Sequence, residues 1–83
     1  MKMPTIYYTR EEIDILVFKT NIQSKKDVHR VAPVMDDDER IICWNVDLED
    51  IDKVLRIESR QLSIGQVIQL IRERGYECQE LTD

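Results

Sequence analysis

The 83-residue sequence has little of what most functional classes require, with only two Cys, two Gly and two Pro. Cys43 and Cys78 lie far apart and form no Cys-x-x-Cys pair. That excludes a thiolate metal site or a redox dithiol built from the two, and a secreted disulfide scaffold would need more cysteines. So few glycines leave no Gly-rich phosphate loop, and no grouping of acid, base and nucleophile is visible. Neither an enzyme nor a bound cofactor is expected. No stretch reaches the ~18 uninterrupted apolar residues of a membrane span, and MKMPTIYYTREE has no signal-peptide core. The cytoplasm is therefore the expected location. Positive charge is also short: 12 basic against 17 acidic residues give a net charge of −5. Nucleic-acid binding rests on Lys and Arg displacing counterions, so no nucleic-acid partner is expected.

What is present is apolar periodicity in a chain long enough for one modest core. Residues 1–12 read as a leader, and 13–83 as a single domain. IDILVFKTNI, 13–22, is apolar at both parities, with Ile15 and Val17 on one side and Leu16 and Phe18 on the other. That suits a central strand. From Ser24 the period becomes helical, with Val28, Val31, Ala32 and Met35 on one face. Pro33 should kink or loosen the last turn, and the acidic 36–39 should end the helix in solvent.

RIICWNVDL, 40–48, alternates Ile42, Trp44, Val46 and Leu48, and DKVLRIES, 52–59, completes a hairpin. A second helix follows within 62–75, opened by Ser63 and Gln66 as a capping box and closed by Gly75. A short strand at 76–81 ends the series. The β-α-β-β-α-β order predicts an α+β, ferredoxin-like sandwich: a four-stranded antiparallel sheet, order 4-1-3-2, with two helices on one face. Cys43 and Cys78 then fall on opposite edge strands, roughly 14 Å apart and too far for a disulfide. Both are expected to be packing residues.

From Ile13 to Leu81 the chain resembles the heavy-metal-associated (HMA) domain of small copper chaperones and metal-transporting ATPases. The resemblance rests on TNIQSKKDVHRV, on WNVDLEDIDKVLRIES and on VIQLIRERGYE. In that family the first strand ends in a loop bearing Cys-x-x-Cys, and here Ser24-Lys25-Lys26-Asp27 stands in its place. The resemblance thus implies a degenerate ligand turn. Soft metals are held there by paired thiolates, which a hydroxyl and a carboxylate do not replace. Read on their own chemistry, Ser24 is a helix N-cap and Asp27 a negative charge in the first turn. A weak site for a harder ion, from Asp27 with His29 and Ser24, is the alternative, but residues two apart on a helix diverge.

Two surfaces remain. The end of the first strand, DLEDID and Gly75-Tyr76 should meet beside Lys25, Lys26 and Arg30, an electrostatic docking surface of the kind that chaperones of this family use. The sheet face without helices should expose one parity of the first strand, inviting a homodimer or cover by Tyr7 and Tyr8 of the leader. The leading expectation is a non-enzymatic protein-interaction domain of the HMA fold without the thiolate site. The alternatives are a metal-binding or metal-transfer protein using Cys43, Cys78, Asp27 or His29, and a small-molecule-binding regulatory module.

Overall fold

The computed structural model describes residues 13–82. The six elements are β1 (Ile13–Thr20), α1 (Lys25–Asp36), β2 (Ile41–Asp47), β3 (Val54–Arg60), α2 (Ile64–Arg72) and β4 (Cys78–Glu80). The expected leader, residues 1–12 with Tyr7 and Tyr8, lies outside the described residues.

The sheet order is β2-β3-β1-β4, the expected 4-1-3-2 taken from the other edge. β1 is central: it pairs antiparallel with β3 from Ile13↔Arg60 to Phe18↔Leu55 and with β4 from Phe18↔Glu80 to Thr20↔Cys78. Even-numbered β1 residues and odd-numbered β3 residues face the helices. Phe18, Leu55 and Ile57 are fully buried there with Val31 and Met35 of α1 and Val67 and Ile71 of α2. Burying each such side chain contributes about 1.5–3 kcal/mol, so this layer dominates the fold's stability. The opposite parity carries Ile15, 55% exposed, beside Arg56 and Glu58, because both helices lie on one face.

Two expectations need correction. The alternation in 40–48 predicts Ile42 in the core, but the β2–β3 register shifts between Ile41 and Cys43. This bulge inserts one residue, so Ile41 packs on the core and Ile42 is 45% exposed. Cys43 lies on the outward parity of β2, opposite Glu58, and is exposed, so only Cys78 is a packing thiol. The cysteines do occupy opposite edge strands, as expected.

Helix α1 runs through Pro33 to Asp36. Proline there denies the His29 carbonyl its usual partner, but His29 is exposed and solvent can serve it. The chain leaves α1 through a tightened turn, with the Asp38 N–H donating to the Met35 carbonyl at 3.4 Å. In α2 the capping box forms in both directions: Gln66 N–H donates to Ser63 Oγ at 3.1 Å, and Ser63 N–H to Gln66 Oε1 at 2.9 Å. Gly75 takes φ +91°, the left-handed conformation that ends the helix and turns the chain toward Tyr76.

Candidate functional site

The residues that succeed β1 are held by polar contacts rather than by packing alone. Thr20 N–H donates to the Asp52 carbonyl at 3.0 Å, and its hydroxyl donates to the Lys53 carbonyl at 2.6 Å while accepting Ile22 N–H at 3.2 Å. These bonds fix the β2–β3 turn against the start of the 21–24 loop. Asn21 Oδ1 accepts Glu77 N–H at 2.8 Å, which brings the entry to β4 to the same end. The β2–β3 turn is braced from within by Lys53 Nζ on the Leu48 carbonyl at 2.6 Å, with Lys53 at φ +47°.

Ser24 and Asp27 then meet at the start of α1. Ser24 is the N-cap, its Oγ accepting Asp27 N–H at 3.2 Å. The Asp27 carboxylate accepts on both oxygens: Oδ2 takes Gln23 N–H at 3.1 Å and Oδ1 takes the Tyr76 hydroxyl at 2.7 Å. Arg30 Nη1 stands 3.9 Å from the same Oδ1. The Tyr76 hydroxyl, followed by the Gln23 N–H, holds the Asp27 carboxyl below its ordinary value. The turn is therefore a closed hydrogen-bonded unit that ties α1 to Tyr76, in the segment between α2 and β4.

The other expected site residues are placed as follows. Lys25 and Lys26 are exposed on the first turn of α1, and Arg30 lies one turn on beside Asp27. Tyr76 is half-buried, and its hydroxyl is directed inward to Asp27 rather than left free on the surface. His29 makes no hydrogen bond or ion pair with Asp27 among the described residues. It lines a shallow groove with Lys25, Val28, Trp44 and Leu48. Sequence reasoning missed the Thr20 and Asn21 contacts, which carry no local pattern, and Ile51, 92% exposed at the tip of the β2–β3 turn.

The donor set does not suit a soft metal ion. Ser24 offers a hydroxyl and Asp27 a carboxylate already engaged on both oxygens, where soft ions require thiolates. The two thiols are on opposite edges, and the pKa of each is raised. Burial pushes Cys78 up to about 11, and burial together with Glu58 raises Cys43. Among the described residues no group of three or more His, Cys, Asp or Glu could hold a metal ion.

This geometry defines an α+β, ferredoxin-like domain with the strand order and connections of an HMA domain. No protein-family model matches the chain, and no curated protein does either. Solved structures do. The apo form of the HMA domain of a copper chaperone for superoxide dismutase aligns over 84% of this chain and 68% of its own, with 17% identity and a TM-score of 0.72. The copper(I)-loaded first domain of the human copper chaperone for SOD1 aligns over 80% and 89%, with 18% identity and a TM-score of 0.68. The CsoZ metallochaperone aligns over 81% and 97%, with 14% identity and a TM-score of 0.69. The fold is thus the copper-chaperone-like HMA fold, and all three of these structures are metallochaperone domains rather than enzymes. No helix among the described residues is long and apolar enough to cross a membrane.

Proposed function

We propose that this chain is a non-enzymatic interaction module built on the HMA fold, without a soft-metal site, that docks a protein partner through the Ser24/Tyr76 end. The observation that carries the reading is the Asp27 carboxylate, bonded by Tyr76 on one oxygen and by Gln23 N–H on the other. What serves as a ligand turn in metal-binding relatives of the fold serves here as a structural cap. The docking surface is Lys25, Lys26 and Arg30 beside Tyr76, opposite the acidic β2–β3 turn. Their opposed charges give that end a dipole that orients an approaching partner. The free thiols on opposite sheet edges fit a reducing compartment, in keeping with the cytoplasm.

The test is capture from the native cell extract, with metal analysis of the eluate, comparing the native chain with Lys25→Glu/Lys26→Glu. The reading expects a metal-free eluate and a stoichiometric protein that the charge-reversed variant fails to retain. A stoichiometric soft metal on the native chain, or retention unchanged by charge reversal, contradicts it.

A further inference from the structure

The sheet face away from the helices is the largest feature that the preceding reading leaves unused. Across it run two adjacent outward rows, Cys43–Glu58–Ile15 and Asn45–Arg56–Val17, set by the β2–β3 and β3–β1 registers. Ile15 is 55% exposed in the middle of the sheet, Ile42 is 45% exposed beside the bulge, and Arg56 and Glu58 form an ion pair of 3.4 Å between the rows. A central strand that presents isoleucine to solvent is an unsatisfied packing surface.

We propose that this face joins two copies of the chain, related by a two-fold axis that crosses the strands at the level of Leu16 and Ile57. Those residues form the inward row between the two outward ones. Rotation about that axis exchanges the outward rows. Glu58 of one copy then lies over Arg56 of the other, and Ile15 over Val17, each contact occurring twice as an isologous interface requires. The charges are therefore self-complementary in this arrangement, and the apolar residues fall together beside them. Stacked sheets keep their strands within about 30° of each other, and residues next to the axis are displaced least by that rotation. With strands about 4.8 Å apart and ~3.3 Å per residue, the face measures roughly 19 by 23 Å, so a pair covers about 900 Å². Standard interfaces bury about 1,200–2,000 Å², so this one falls below the standard range and the dimer is a weak one.

Sedimentation equilibrium of the full chain from 20 µM to 1 mM tests this. The native mass should rise from 9.9 kDa toward twice that value. Ile15→Arg should stay monomeric, with Val17→Lys as the second such variant if the first fails to fold by circular dichroism. Arg56→Glu and Glu58→Arg should each weaken association tenfold or more, because like charges then face each other. Their equimolar mixture should associate as the native chain does, since the paired acids of one variant then meet the paired arginines of the other. Lys25→Glu/Lys26→Glu should dimerise normally, which separates this face from the docking end. A native chain still monomeric at 1 mM overturns the proposal, as does a mixture no tighter than its components. If the native chain is monomeric and Tyr7→Ser/Tyr8→Ser dimerises, N-terminal residues occupy the face and the second copy does not.

Discussion

Replacing Ser24 by alanine removes one acceptor and leaves the rest of the turn in place, so it isolates the capping role assigned to that residue. Ser24 Oγ accepts Asp27 N–H at 3.2 Å in extended backbone at φ −145°, the geometry of an N-cap. Loss of such a cap costs about 1 kcal/mol, within a range of ~0.5–2. For a domain of this size each kcal/mol lowers the melting temperature by roughly 4–8 °C. Val31 and Met35 still anchor α1 in the core, so the variant folds and melts in one step. Thermal unfolding followed by far-UV circular dichroism should place Ser24→Ala about 4–8 °C below the native chain. Ser24→Thr should fall between the two, since threonine caps nearly as well. A Ser24→Ala melting point equal to the native one would refute the capping account, and so would a threonine variant as unstable as the alanine one.

Asp27 makes stability depend on pH in a definite direction. Its folded carboxyl sits below the ordinary value of 3.8, so its contribution is fully present above that value and is lost as pH falls through the lower folded one. Urea midpoints of the native chain should drop on acidification below about pH 4 more steeply than those of Asp27→Asn, and equal slopes would argue against the Tyr76 contact. Gly75→Ala has open space around its Cα but must adopt φ +91°. It should therefore lose about 1–2 kcal/mol through strain alone, read as a lower urea midpoint. Ser59 is fully buried with no partner for its hydroxyl among the described residues, so Ser59→Ala should raise stability by about 1 kcal/mol in the same assay.

The fold was legible because period and punctuation agreed along most of the chain. Ser63 and Gln66 announced α2, Gly75 its end, and the apolar parities of 13–22 a strand paired on both edges. The bulge at Ile41–Cys43 was not legible. Inserting one residue leaves composition unchanged while bringing Ile41 onto the core and moving Ile42 outward, and the β3 register alone reveals it. At the site, Ser24 and Asp27 could be read as a cap because the capping contact spans three residues. The bond from Tyr76 to Asp27 spans 49 residues and the one from Thr20 to Lys53 spans 33, and no local pattern encodes either. Sequence spacing thus placed the residues at one end of the molecule, while the closed state of the Asp27 carboxylate came from tertiary contacts.

The central claim is that the Ser24–Asp27 turn holds α1 in place and does not hold a soft metal ion. Titrating the reduced native chain with Cu(I) against a competing chelator, alongside Ser24→Cys/Asp27→Cys, tests it most directly. Thiols at a helix N-terminus deprotonate readily, so the double variant should withdraw one Cu(I) per chain from the chelator. The native chain should withdraw none. Tight stoichiometric Cu(I) binding by the native chain would contradict the account.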